Sequence, residues 1–309
     1  MGKTQPSIAV LVATYNGADN LLEQLESYRS QTLVPALVLV SDDGSTDATW
    51  QILEQFSKQH PDLNVQLLKG PRRGVSQNFL HLLRHVPDHI DMASLSDQDD
   101  IWLPEKLARG AMMMAGQTGM ALYCGRTLEW QAEQDVRRVS RLARQAPGFR
   151  HALVQNIAGG NTMILNRKAL NLVQAASRES GEIVIHDWWI YQIVTAAGGR
   201  VIYDETPMML YRQHPQNLIG ANRGAAAKVR RLKYMLAGRY RQWGTLNIRA
   251  LKASEHRITT ENADLLEAFA TGRDGSVFAR LGMLWKNGFY RQGAVGQTSL
   301  YLAALLKRL

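Results

Sequence analysis

The chain has 309 residues, 45% hydrophobic and 20% charged, as expected of a folded protein with one large domain or two modest ones. Its single cysteine, Cys124, excludes an internal disulfide and a paired-cysteine metal site. The formal net charge is +9 and unevenly placed, with no acidic residue from Thr206 through Ser254 or after Asp274, so either a polyanionic partner or a solvated basic helix face is expected.

Ser7 to Thr14 is a continuous β-branched and aliphatic run, too short for a buried helix, and predicts a strand buried on both faces. Tyr15-Asn16-Gly17 breaks it. Leu21, Leu22, Leu25 and Tyr28 follow at helical spacing, with Asn20 as the expected cap and Glu23 as its capping-box partner. Ala36 to Val40 is a second buried strand, ending in the polar turn Ser41-Asp42-Asp43-Gly44-Ser45-Thr46-Asp47. Trp50, Ile52, Leu53 and Phe56 mark a helix, Val65 to Leu68 a strand, and Val75, Phe79, Leu82, Leu83 and Val86 another helix. Met92 to Leu95 is the fourth strand. It runs into Ser96-Asp97-Gln98-Asp99-Asp100, three carboxylates within four residues. Packed carboxylates raise one another's pKa, which is tolerable on a solvated loop or where a cation holds them. Pro104 suits a first helical position, and Asp100 would cap that helix.

The middle is less regular. Ala121 to Cys124 reads as a strand, and Glu129 to Gln145 as an exposed charged stretch. Asn156 to Leu165 is a turn containing Gly159 and Gly160 that leads into a strand. Glycine there permits close approach of a ligand or simply a tight turn. Asp187 precedes Trp188, Trp189, Tyr191 and Ile193 and could cap their helix. Arg212 and His214 lie two apart on an extended segment and so share a face.

From Ala225 the character changes. Val229, Leu232, Leu236, Tyr240 and Trp243 form an apolar stripe on a strongly basic helix. Val277, Phe278, Leu281, Leu284, Trp285, Phe289 and Tyr290 form a second, and Leu300 to Leu306 a third. Such helices suit an anionic membrane surface. Packing on the catalytic domain, or on a sister subunit in a homo-oligomer, is the other cover these stripes could have. No uncharged apolar stretch reaches the ~18 residues of a membrane span, and the N-terminus lacks the pattern of a signal peptide. The expectation is therefore a cytoplasmic protein, peripheral at the inner face of the cell membrane.

Strand–helix alternation at this period predicts an α/β fold with a mainly parallel sheet flanked by helices. Ligands bind such sheets at the carboxyl ends of the strands. Thr14-Tyr15-Asn16, Asp42-Asp43 and Asp97 to Asp100 all fall there, which favours an acidic, cation-ready pocket.

Val12-Ala13-Thr14-Tyr15-Asn16-Gly17, Ser41 to Asp47 and Asp97-Gln98-Asp99-Asp100, in that order and strand context, resemble the family 2 glycosyltransferases. The resemblance implies the GT-A nucleotide-diphospho-sugar transferase fold over about residues 7–217. A catalytic domain would span 1–220, with a nucleotide-sugar half to about 105 and an acceptor half from about 106. A basic helical tail would follow over 221–309. Tyr211-Arg212-Gln213-His214 with Asn217 looks most like rhamnosyltransferase-type enzymes of O-antigen and capsule assembly.

By this resemblance Ala13, Thr14 and Tyr15 would line the nucleobase site, and Asp43 would accept from the pyrimidine imide with Asp42 supporting its turn. Asp97 would lie near ribose or metal, and Asp99 would ligate Mg²⁺ or Mn²⁺, with His214 as a further metal contact. Asp187 would be the catalytic base, Arg212 would close over the diphosphate, and Gly160 and Trp188 would face the acceptor. Many members carry Ala-Arg-Asn where this chain has Ser76-Gln77-Asn78, so an arginine contact to phosphate or sugar is either missing or supplied elsewhere, with Arg72 and Arg73 as candidates. The implied activity is inverting transfer from a nucleotide-diphosphate sugar, dTDP-rhamnose or a UDP-hexose, to a lipid-linked saccharide, with no nucleic-acid partner. A nucleotidyltransferase of related architecture also uses paired carboxylates and a metal, but opens with a basic Gly-rich loop that Ala13 to Gly17 does not form. A non-enzymatic polyanion binder would leave the acidic rim unexplained.

Overall fold

The computed structural model describes residues 5–213, 233–234 and 237–309. Four parallel strands carry the expected motifs: β1 (Ile8–Thr14), β2 (Leu37–Asp42), β3 (Val65–Lys69) and β4 (Met92–Ser96). Register sets Thr14 beside Asp42 across β1 and β2, and Val12 beside Ser96 across β1 and β4. The three polar clusters therefore leave the sheet side by side. The sheet continues through β9 (Ile164–Asn166), β6 (Ala121–Gly125) and β10 (Arg200–Asp204), in the order β10-β6-β9-β4-β1-β2-β3. β9 runs antiparallel to both neighbours, and β10 parallel to β6.

Alternation along β1 explains its unbroken apolar run. Ile8, Val10 and Val12 enter one core, beneath helices α1 (Ala18–Arg29), α2 (Thr49–Gln59) and α4 (Lys106–Met114). Ala9, Leu11 and Ala13 enter the other. That second core holds helices α3 (Val75–Arg84), α5 (Phe149–Ala152), α6 (Arg167–Ser177) and α7 (His186–Ala196). Among the described residues the helices α8 (Arg239–Lys252), α9 (Thr260–Gly272), α10 (Val277–Lys286) and α11 (Gly293–Leu305) follow. Their inner faces, including Leu251, Leu266, Leu284 and Leu300, join the same core as the sheet. Asn262 also donates to the carbonyls of Thr195 and Ala196 at the end of α7.

Several local expectations change. Asn20 lies inside α1, which starts at Ala18; the first amides are taken by Thr49 (from Gly17) and Asp47 (from Ala18). Glu23 makes no capping box and instead pairs with Arg212. Pro104 does not open a helix: a two-residue strand, β5 (Ile101–Trp102), intervenes, and α4 begins at Lys106. β5 belongs to a second sheet, with β11 (Met209–Arg212), β7 (Leu128–Gln131) and β8 (Val136–Val139), that the sequence did not suggest. The Val277–Tyr290 stripe does not share one side, because Leu284 and Phe289 are buried while Phe278 and Trp285 are exposed. Val229, Leu232 and Leu236 lie outside the described residues.

The common core predicts one cooperative unit. Leu284→Ala should cost ~2–5 kcal/mol and lower the midpoint of a single unfolding transition followed by circular dichroism. A separate early transition, with the remainder unshifted, would show that the helices from α8 onward fold apart from the sheet.

Candidate active site

The rim is built from backbone amides held by carboxylates. Asp42 accepts from Thr14 Oγ1 at 3.0 Å and from the amides of Gly44 and Ser45 at 3.1 and 2.9 Å. Its carboxylate thus fixes its own turn. Asp43 accepts from the amides of Arg72 at 2.6 Å and Gly74 at 2.7 Å, tying the loop after β3 to the end of β2. Arg72 and Gly74 both have positive φ, and the Arg72 side chain lies along Gly44. Each Asp43 oxygen keeps a second lone pair for a ligand. Ala13 and Thr14 are buried, while the ring of Tyr15 is 57% exposed and free to lie against a flat ligand.

The acidic loop lies across this turn. Gln98 accepts from the amide of Tyr15 at 2.9 Å and donates to its carbonyl at 3.1 Å. A Cβ at Gly17 would come within 2.3 Å of the Gln98 amide, so a side chain there would displace Gln98. Asp97 is only partly buried by surface, yet desolvation pushes it up to about 7, helped by the charges of Asp99 and Asp187. Asp100 is fully buried and does not cap a helix. It accepts from Asn161 Nδ2 at 2.7 Å and from the Arg212 amide at 3.2 Å, and desolvation together with Asp97 and Asp99 raises it well above the usual range. Lys106 is buried below, donating to the Asn161 carbonyl at 2.9 Å with its ammonium 4.2 Å from the Trp102 ring centroid. Burial pulls Lys106 down to about 7, against the pull of Asp100 and Asp97.

Arg212, at the end of β11, donates from Nε to the Asp99 carbonyl at 2.9 Å, pairs with Glu23 and lies over Trp130 at 4.5 Å. The guanidinium is therefore seated at the back of the acidic loop. His214 lies outside the described residues.

Asp187 sits in the first turn of α7, where Ile185 is the cap. It accepts from the Gly160 amide at 3.2 Å and from the Trp188 amide at 2.5 Å. Burial pushes it up to about 6, opposed by those bonds. Gly160 admits no side chain, since a Cβ would meet His186 Nε2 at 2.6 Å. His186 stacks on Phe79 with ring centroids 4.0 Å apart, and burial lowers it to about 3, so its imidazole is neutral. Trp188 is half-buried, its indole donating to the Ala152 carbonyl at 2.7 Å, whereas Trp189 is core.

The structure thus brings Ala13 to Tyr15, Asp42, Asp43, Asp97, Asp99, Gly160, Asp187 and Arg212 to one end of the sheet. Sequence reasoning missed Gln98, Lys106 and Asn161. Only the position of Gln98 between Asp97 and Asp99 hinted at a role. Among the described residues no three His, Cys, Asp or Glu side chains converge as a metal cage. The hard oxygens of the acidic loop, crowded enough to raise Asp97 and Asp100, nevertheless suit a divalent cation whose other ligands come from a bound substrate.

The chain resembles known proteins. Residues 9–178 match the family model described as Glycosyl transferase family 2. The dTDP-rhamnosyl transferase RfbG of Shigella flexneri is 29% identical over 228 residues, 72% of this chain and 78% of that one. An uncharacterized protein of Mycobacterium tuberculosis is 22% identical, over 68% of this chain and 60% of its own length. Among solved structures, the mannosyltransferase PcManGT of Pyrobaculum calidifontis, in complex with GDP-Man and Mn²⁺, superposes with a TM-score of 0.55 at 20% identity, covering 99% of this chain and 88% of that one. S. aureus TarS 1–349 with UDP-GlcNAc gives 0.54 at 16% identity, covering 98% and 80%. The shared fold is GT-A.

The raised value of Asp97 carries a stability consequence. Unfolded aspartates titrate near ~3.9, so the folded chain holds this proton more tightly. That contribution is full below the unfolded value and lost as pH rises through about 7. Asp97→Asn should therefore gain in melting temperature over the wild type as pH is raised from about 5 to about 8. A constant difference across that range would remove the electrostatic load assigned to Asp97.

Proposed function

The chain belongs to glycosyl transferase family 2, and on that footing we propose that it transfers a sugar, with inversion, from a nucleotide-diphosphate donor to a hydroxyl of a lipid-linked saccharide. The pathway would be bacterial surface polysaccharide assembly, O-antigen or capsule. dTDP-rhamnose is the first choice of donor, on the likeness to a dTDP-rhamnosyl transferase, and a UDP-hexose the second. As a glycosyltransferase, the chain is neither a nucleotidyltransferase nor a non-enzymatic polyanion binder.

The observation that carries the reading is the joining of the acidic loop to Asp187. Asp100 binds Asn161, the adjacent Gly160 amide binds Asp187, and Asp97 feels the Asp187 charge. On this reading the leaving-group side and the base stand next to each other at one end of the sheet.

The donor would lie along the rim with its base on Tyr15. Asp43 accepts from the base imide through its spare lone pairs, and Asp97 lies at the ribose. Arg212 contributes charge at the diphosphate after exchanging its Glu23 partner, with His214, two residues on in the sequence, as a further metal contact implied by the resemblance. Asp99 is the ligand for Mg²⁺ or Mn²⁺, which when bound neutralises charge on the departing diphosphate. A structural neighbour's complex with Mn²⁺ supports divalent metal use.

On the other side of the sugar, Gly160 and Trp188 border the acceptor. Asp187, ionised above about 6, takes the acceptor's hydroxyl proton. The acceptor oxygen bonds to the anomeric carbon as the carbon–oxygen bond to phosphate breaks. The nucleoside diphosphate leaves with that electron pair, and one displacement inverts the centre.

Asp187→Asn should lower kcat by roughly 10²–10⁴ while donor binding by calorimetry is retained. The wild type should show an acidic limb near pH 6 that its variant lacks, because activity needs the ionised carboxylate and rises with pH through about 6. Full activity in the variant would place the base elsewhere. Separately, Mn²⁺ with nucleoside diphosphate should raise the wild-type melting temperature, and Asp99→Asn should weaken the apparent cation affinity about tenfold or more. An unaltered cation response would displace Asp99 as ligand.

A further inference from the structure

The solvent sides of α10 and α11 carry an apolar face that the catalytic reading does not use. Phe278 is 86% exposed, Trp285 76% and Val295 84%, and Leu302, Leu305 and Leu306 are exposed beside them in the chain. Spacing makes this a face on each helix. Phe278 and Trp285 lie seven residues apart on α10, as do Val295 and Leu302 on α11. Gly282, between the two aromatics, has open space where a side chain would stand.

The two helices are held rigidly to each other from behind. Buried Arg280 donates to the Ala304 and Leu305 carbonyls, closing the end of α11, and Arg273 donates to the Leu309 carbonyl. The exposed residues are therefore not a frayed end.

We propose that the outer faces of α10 and α11 dock this protein in the plane of an anionic lipid bilayer, with Phe278 and Trp285 as its anchors. Charge selects this occupant. After Asp274 the chain carries Arg280, Lys286, Arg291, Lys307 and Arg308 and no acidic residue, and of these cations only Arg280 is buried. Of the acidic groups just before, Glu261, Glu267 and Asp274 pair with Arg150, Lys252 and Arg241, which leaves exposed Asp264 of α9 against the cations that follow.

A second copy meeting this face two-fold would set cations against cations. Aliphatic Val295, Leu302, Leu305 and Leu306 offer nothing to nucleotide bases, whereas acyl chains accept them, and an exposed Trp suits the headgroup level. Among the described residues no helix is long and apolar enough to cross a membrane. Helices of 10 and 13 residues, packed on the core by one side and apolar at exposed positions on the other, are suited to lie in the interface.

The face is read from exposure and charge, independently of the donor assignment, and its test needs no turnover. The full chain is floated with vesicles of phosphatidylcholine alone, or of phosphatidylcholine with phosphatidylglycerol. Wild type should rise with the anionic vesicles only. Joint replacement Phe278→Ser and Trp285→Ser should weaken that binding about tenfold or more, with donor turnover in solution unchanged. Met112→Ser, at an apolar position 61% exposed on α4, should float as the wild type does. Wild-type chain left at the bottom of the anionic gradient, or a double variant that floats normally, would overturn the proposal. So would a wild-type dimer in sedimentation that the double variant dissociates, since that result assigns the face to a second copy.

Discussion

The structure depends on how one buried carboxylate, Asp100, is satisfied. A charge out of water without fixed donors costs several kcal/mol. Asp100 therefore draws its partners from separate segments: Asn161 before β9 and the backbone of Arg212 at the end of β11. Lys106, from α4, closes the group by binding the Asn161 carbonyl. One polar node thus locks the main sheet, the small sheet and a helix together at the point where the acidic loop emerges. Asp99 is positioned next door by the same backbone, and Asp187 is positioned one residue from Asn161, through Gly160. Separation between the two halves of the site is set by short covalent paths and buried bonds rather than by mobile side chains.

The carboxylates of the rim divide into two kinds. Asp42, Asp43 and Asp47 spend their oxygens on backbone amides and build turns. Asp97 is pushed upward by burial and by the charges of Asp99 and Asp187, and Asp100 by burial and by Asp97 and Asp99, so this loop crowds its carboxylates more than its surroundings relieve. Identical side chains thus act as scaffold at one strand end and as a crowded cluster at the next.

Much of this was legible in the sequence, for a physical reason. Strands buried on both faces leave unbroken apolar runs, and the chain's polar clusters stand where those runs stop, so β1, β2 and β4 and their motifs could be placed. The second sheet could not. β5 is two residues long, and β7 and β8 form a charged hairpin without a buried alternating face. Asn20 and Glu23 had the spacing of a capping box, but Asp47 and Thr49 supplied those bonds from a distant segment. Lys106 and Asn161 look like ordinary surface polar residues until tertiary structure sets them beneath Asp100. Of the basic helices the sequence could not say which apolar residues are covered: Leu284 and Phe289 pack inward while Phe278 and Trp285 do not.

The reversed strand β9 has a consequence for how such an enzyme can change. Its neighbour β4 delivers the acidic loop from the residues that leave it. β9 runs the other way, so it delivers Gly160 and Asn161 from the residues that lead into it. Pairing of Ala93 with Leu165 and of Ser94 with Ile164 pins that approach from behind. The exposed tip of the β7–β8 hairpin can therefore grow or shrink without sliding the Asp187 contact, whereas β7 itself is held by β11. Length can drift at that tip while Asp97, Gly160 and Asp187 stay in register, a separation of variable edge from fixed floor built into the strand's polarity.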